Sequence, residues 1–138
     1  MRYLGLDLGS KTLGIAISDT TLTIASVLKT IYFDNEDYDS LLGSLKDIVM
    51  EYQINKFILG YPINMDGSIG ERAEITLAFK KKLEDYFQLE VVMMDERLTS
   101  VISNQVLIDA DLSRKKRKKK VDGIAACLIL QSYLDKER

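Results

Sequence analysis

The chain has 138 residues, 46% of them hydrophobic and 29% charged, with a formal net charge of −2. These are the proportions of a soluble globular protein, and one domain over residues 1–138 is the simplest expectation. Histidine is absent and Cys127 is the only cysteine, which excludes Ser-His-Asp and Cys-His catalysis, Cys/His zinc sites and an intramolecular disulfide. Set in Ile-Ala-Ala-Cys-Leu-Ile, Cys127 reads as a small core residue. No apolar run approaches the ~20 residues of a membrane span and no secretory signal is visible, so cytoplasmic residence without a membrane partner is expected. Any hydrolysis would have to activate water through carboxylates and a hard metal, or through a lysine.

Taken in chain order, residues 2–8 and 13–18 read as two apolar strands joined by the turn Gly9-Ser10-Lys11-Thr12. A third strand is expected over about 24–33. The turn Asp34-Asn35-Glu36-Asp37 offers helix N-caps, and Leu41, Leu45, Ile48 and Tyr52 then recur at helical spacing. Lys56-Phe57-Ile58-Leu59-Gly60 lacks polar alternation, as a strand covered on both faces does. The loop Tyr61-Pro62-Ile63-Asn64-Met65-Asp66-Gly67 follows. Ser68 and Glu71 then match a capping box for a helix that carries Ile75, Phe79, Leu83 and Tyr86.

Glu90 to Glu96 is the fifth strand, ending in two acids. A helix is expected to start near Thr99 or Ser100 and to carry Ile102 and Val106, and a last helix covers about 121–135. The order β-β-β-α-β-α-β-α-α implies a mixed five-stranded sheet with helices on its faces, an α/β pattern that fits a ribonuclease-H-like fold.

Charge is unevenly spread along this order. Arg114, Lys115, Lys116, Arg117, Lys118, Lys119 and Lys120 supply seven of the 19 basic residues, leaving 12 against 21 acids elsewhere, a balance of −9. An acidic body with one basic segment points to a local polyanion contact, with a solvated loop as the plain alternative.

Asp7 is the one carboxylate inside the first apolar hairpin, and burying a lone charge costs several kcal/mol or more unless something pairs with it. Lys11 or a metal ion could do so. In a ribonuclease-H-like sheet the first strand is central, the end of the fifth strand shares its edge, and the last helix brings Asp122 towards Asp7. Carboxylates meeting there would repel one another without a divalent cation. Mg²⁺ or Mn²⁺ suits an all-oxygen site, keeps several waters, and supports phosphodiester hydrolysis without histidine.

Each acid also has a plainer role open to it. Asp122 could merely favour the positive end of a helix dipole, and Asp95 and Glu96 could pair with Arg97 at the surface. Alternation sends Asp95 and Glu96 to opposite faces, so at most one should be a direct ligand, and Glu96 is preferred. Gly9-Ser10-Lys11-Thr12 is not a Walker A loop, because Ser10 stands where glycine is required. The wider Asp7–Gly14 stretch is similar to the first phosphate loop of sugar kinases, actin and chaperone ATPases. Those proteins clasp nucleotide between two such domains, and 138 residues are expected to hold only one, so that reading requires a dimer or fails.

Five segments, in this order, resemble the YqgF family, also called RuvX, of Holliday junction resolvases or pre-16S rRNA nucleases. They are Asp7-Leu8-Gly9-Ser10-Lys11 with Gly14 and Ser18-Asp19; Gly60 to Ser68; Asp95-Glu96-Arg97-Leu98-Thr99-Ser100; the basic run into Val121-Asp122-Gly123-Ile124-Ala125-Ala126; and Ile129 to Leu134. The resemblance covers essentially the whole chain. It implies a ribonuclease-H-like fold, metal-dependent endonuclease activity and maturation of the 5′ end of pre-16S rRNA in ribosome biogenesis. By position it carries the family's acids to Asp7, Glu96 and Asp122, while Thr12 stands where the family often has arginine.

On this reading Asp7, Glu96 and Asp122 hold Mg²⁺ or Mn²⁺ with Asp95 in reserve. Lys11 and Arg97 meet phosphate, and residues 114–120 grip the backbone of pre-rRNA or branched DNA. Resolvases of branched DNA usually act as symmetric dimers, which leaves a homodimer open.

Overall fold

The computed structural model describes residues 1–34, 37–62, 70–95 and 114–137, with side chains in the last segment from Gly123 onward. The elements are β1 (Arg2–Leu8), β2 (Thr12–Ser18), β3 (Ala25–Tyr32), α1 (Asp39–Tyr52), β4 (Ile54–Tyr61), α2 (Glu71–Phe87), β5 (Glu90–Asp95) and α3 (Arg114–Glu137). The helix expected near Thr99 lies outside the described residues.

One sheet takes all five strands in the order β3-β2-β1-β4-β5. β1 pairs antiparallel with β2 and parallel with β4, and β4 pairs parallel with β5. The sheet is therefore mixed, with β1 at its centre. β1, β2 and β4 read as near-continuous apolar runs because both faces are covered there.

On one face Leu4, Leu6, Leu13, Ile15, Phe57 and Leu59 meet Leu41, Leu45, Phe79 and Leu83 of α1 and α2. On the other, Tyr3, Ala16 and Ile58 meet Ala126, Ile129, Leu130, Tyr133 and Leu134 of α3. Each large apolar side chain buried in these layers contributes about 1.5–3 kcal/mol. That is enough to fix α3 firmly across the central strand. Gly5 is where helix and strand come closest, since a Cβ there would lie 2.7 Å from Leu130 Cβ and 2.8 Å from the Ala126 carbonyl.

Three helix starts differ from the sequence reading. α1 begins after Tyr38, which makes no side-chain cap bond. Its ring instead packs against Phe33 and Phe79, with centroids 5.5 and 6.4 Å away. An aromatic packed into the core thus stands at the cap position of this helix. α2 begins at Glu71 with extended Gly70 in the cap position, two residues later than a Ser68 cap would place it; Ser68 itself lies outside the described residues. α3 begins at Arg114, not near 121, because lysine and arginine are good helix formers and carry the packed half of the helix backwards.

At the edge where β1 begins, Lys56 ties the layers together. Its Nζ donates to Tyr133 Oη at 2.9 Å, lies 3.1 Å from Glu90 and 3.6 Å from Glu137, and sits over the Tyr3 and Tyr133 rings.

Candidate active site

Alternation along β1 sends Leu4, Leu6 and Leu8 to the α1/α2 layer and Tyr3, Gly5 and Asp7 to the α3 layer. Asp7 is half-buried near the C-terminal end of the strand. It pairs with Gly14 of β2, and one step beyond the registered pair Leu6–Leu59 brings it level with Gly60 of β4. The residues directly level with this carboxylate on the two flanking strands are thus both glycines. Glycine inside a strand often marks such a place, where a ligand or another backbone comes close.

Because β4 and β5 run parallel to β1, all three end at one edge of the sheet. Asp95 closes β5 at that edge, paired with Tyr61. Its face is not that of Asp7, however. Met93 packs in the α1/α2 layer while Val92 and Met94 pack with α3, so alternation gives Asp95 the α1/α2 side. Glu96 and Arg97 lie outside the described residues, as do the side chains of Asp122 and of Arg114 to Lys120.

The backbone of α3 nonetheless locates Asp122. Tyr133 meets Tyr3, and Leu130 and Ala126 meet Gly5, so the helix runs antiparallel to β1 and its N-terminal side points to the Asp7 edge. Asp122 precedes Ala126 by one turn, about 6 Å along the axis, and Asp7 follows Gly5 by about 7 Å along the strand. The two positions come level. Gly123, buried beside Val27 of β3, fixes the same turn from the other side.

The turn between β1 and β2 is pinned from both flanks. The Gly9 N–H donates to the Thr12 carbonyl at 2.7 Å and the Phe33 N–H donates to the Lys11 carbonyl at 3.0 Å. Lys11 is exposed there, at the edge that carries Asp7. The sequence reading missed Arg72, whose guanidinium donates to the Leu8 carbonyl at 3.0 Å and to Tyr38 Oη at 3.3 Å. A cation in the first turn of a helix opposes the helix dipole. That was the available sign that Arg72 serves something outside α2.

Other residues of the sequence motifs belong to the scaffold. Ser18 Oγ accepts the Tyr3 N–H at 2.8 Å, at the opposite end of β1 from Asp7. The Asp19 carboxylate accepts from the Thr21 hydroxyl and from the Thr23 and Ile24 N–H groups at 2.7 and 3.0 Å, closing the loop between β2 and β3. Those bonds, the Thr21 hydroxyl first, lower the Asp19 pKa to about 2. Gln131 of α3 accepts from the Ala25 N–H at 2.8 Å and donates to the Thr23 carbonyl at 2.9 Å. Cys127 is half-buried with its thiol donating to the Ala25 carbonyl, and burial pushes its pKa up.

A central strand ending in a carboxylate, parallel strands sharing its edge and a helix crossing it antiparallel make up the ribonuclease-H-like fold of the RuvC-type resolvases. RuvC from Thermus thermophilus, solved with a Holliday junction substrate, superposes with a TM-score of 0.62 at 11% identity, over 98% of this chain and 96% of that one. The fowlpox virus Holliday junction resolvase gives 0.56 at 20% identity over 99% of each. The RuvX family model, described as Holliday junction resolvase, matches residues 1–136. A relative from Geobacillus sp. (strain WCH70), named "Putative pre-16S rRNA nuclease", is 47% identical over 138 residues, the whole of both chains. This chain belongs to the RuvX family.

Proposed function

We propose that this protein is a divalent-metal-dependent endonuclease that hydrolyses phosphodiester bonds in structured nucleic acid and processes the 5′ end of pre-16S rRNA in ribosome biogenesis. What supports the reading is Asp7 near the C-terminal end of the central strand, with Gly14 opposite it, at the edge towards which the N-terminal side of α3 runs. The donor set fits a hard cation, being all carboxylate and without histidine. Asp7, Glu96 and Asp122 would hold Mg²⁺ or Mn²⁺; Asp95, on the other face, is the weaker candidate. When bound, such ions neutralise charge on the phosphate and lower the pKa of water.

The chain's own residues supply the rest. Asp7 is positioned by the central strand of the sheet, and Arg72 holds the backbone directly after it. Lys11 and Arg97 would balance charge on the phosphate, and Arg114 to Lys120 would hold the flanking backbone. The 47% identity to a relative named as a pre-16S rRNA nuclease supports the rRNA substrate. The fold it shares with junction resolvases supports a second reading, cleavage of branched DNA by a homodimer.

No helix among the described residues is long and apolar enough to cross a membrane, and the cytoplasm, where ribosomes are assembled, is the proposed site of action. The test is cleavage of a pre-rRNA fragment with Mn²⁺ and with chelator. Ion-dependent products are expected. Salt-sensitive binding without products at any Mn²⁺ concentration would instead identify a non-catalytic rRNA-binding module.

A further inference from the structure

The register of the sheet carries the face of Asp7 across to the edge strand β3. Asp7 pairs with Gly14 and Gly14 with Thr30, so these three share one row and one face. Thr12 and Tyr32 form the next row on that face, one step nearer the strand ends. The residues between them keep the alternation: Leu13, Ile31 and Phe33 pack in the α1/α2 layer, on the other side of the sheet. β3 runs parallel to β1, because each is antiparallel to β2, and Tyr32 closes it at the Asp7 edge. Two strand spacings and one same-face step separate the Asp7 and Tyr32 backbones, about 12 Å in all.

Tyr32 is 62% exposed at this place, and Val27, on the same face of β3, is 53% exposed. A strand tyrosine that serves the fold packs its ring against cross-strand neighbours. Tyr32 has only Thr12 opposite it, because β3 is an edge strand with no strand beyond it. Its chain neighbours Ile31 and Phe33 already anchor this stretch in the core. Among the described residues the Tyr32 ring has no ring partner and its hydroxyl no hydrogen bond. Exposed Lys11 adjoins it, since the Phe33 N–H donates to the Lys11 carbonyl at 3.0 Å. An exposed aromatic face beside a cation is a pair that holds a nucleotide, the cation through phosphate and the ring through the base.

We propose that Tyr32 is a base-stacking platform of the candidate active site, so that the site selects nucleic acid with an unpaired nucleotide beside the phosphate at Asp7. The proposal rests on the nuclease reading above and adds a specificity-determining residue to it. A paired base has both faces covered by its neighbours in the stack, and only a splayed, unpaired one can offer a face to the ring. Lys11, at the same edge, would meet the phosphate of that nucleotide. The separation of about 12 Å suits a base a nucleotide or so along the strand from the phosphate at Asp7.

The experiment uses the full-length Asp7→Asn chain with Mg²⁺. It compares affinity for an RNA hairpin with a single-stranded adenosine tail and for the same hairpin with an abasic tail. The two probes carry equal phosphate charge and differ only in the bases of the tail. The adenosine tail is expected to bind about 5- to 150-fold more tightly, the range that one base–aromatic stack supplies. Adding Tyr32→Thr, which removes the ring and keeps strand propensity, is expected to abolish that preference. Tyr32→Phe should retain it, as should Tyr86→Ala, which removes an exposed aromatic near the C-terminal end of α2. Circular dichroism checks that each variant is folded. A preference that survives Tyr32→Thr, that is lost in Tyr32→Phe, or that the parent chain lacks altogether overturns the stacking role while leaving nucleic-acid binding intact. Absence of binding to either hairpin overturns the reading beneath it.

Discussion

Gly5→Ala tests how the fold sets the site. The new Cβ would stand 2.7 Å from Leu130 Cβ and 2.8 Å from the Ala126 carbonyl oxygen, whereas carbon atoms pack at about 3.5–4.0 Å. Ala126 and Leu130 are both fully buried, so α3 must lift by about 1 Å. Overpacking of this kind costs about 1–3 kcal/mol. At 138 residues a loss of about 2 kcal/mol lowers Tm by roughly 6–8 °C. The same lift carries Asp122, one turn along the helix, away from Asp7, and a displacement of about 1 Å can cost ~100-fold in rate. Thermal unfolding by circular dichroism and cleavage assayed well below both Tm values read the two effects. Gly43→Ala, at an exposed position of α1, is the control, with nothing within 4 Å of its Cβ, and should stabilise by up to about 1 kcal/mol. A Gly5→Ala protein with unchanged Tm and unchanged cleavage would refute the close packing of α3 on β1 as the device that sets the site.

Three further outcomes are expected. Lys56→Met removes a hydrogen bond, two ion pairs and two ring contacts and should cost about 1–3 kcal/mol in urea unfolding. Burial pulls the Lys56 pKa down, but bonds to Tyr133 and Glu90 outweigh it and hold the pKa above the ordinary 10.5. The contribution of Lys56 is therefore full below pH 10.5 and lost as pH rises beyond it; a wild-type advantage that persists undiminished far above that pH would contradict this. The Asp19 carboxylate, lowered from 3.8 to about 2, acts in the opposite sense. Its contribution is full above pH 3.8 and lost as pH falls towards 2, so the Tm gap between wild type and Asp19→Asn should close across that window, and a constant gap would count against it. Arg72→Met should reduce kcat tenfold or more with KM little changed, because it frees the backbone after Asp7 without touching the phosphate grip; a change in KM alone would place Arg72 in substrate binding.

The central strands were legible because a strand covered on both faces shows as an unbroken apolar run, and Asp7 stood out within one. Alternation alone could not say which face Asp95 takes; that needed the packing of Val92, Met93 and Met94. Arg72 and Gln131 were not legible as connectors, since their partners lie 64 and 106 positions away in the chain. The Ser68/Glu71 capping box misplaced the start of α2 by two residues, and Tyr38 took a cap position that polar residues were expected to fill. In both cases a local signal met tertiary constraints it does not contain. The basic run was legible as charge but not as helix, because seven like charges argue against a helix that packing farther along the chain sustains.

The central claim is that Asp7 holds the chemistry at the sheet edge. Wild type and Asp7→Asn, each with Mn²⁺, are incubated with a pre-rRNA fragment and, separately, with a four-way DNA junction, and products and binding are measured on the same samples. The expected result is ion-dependent cleavage by wild type and none by Asp7→Asn, whose fold and nucleic-acid affinity remain close to wild type. Undiminished cleavage by the cleanly purified variant would contradict it.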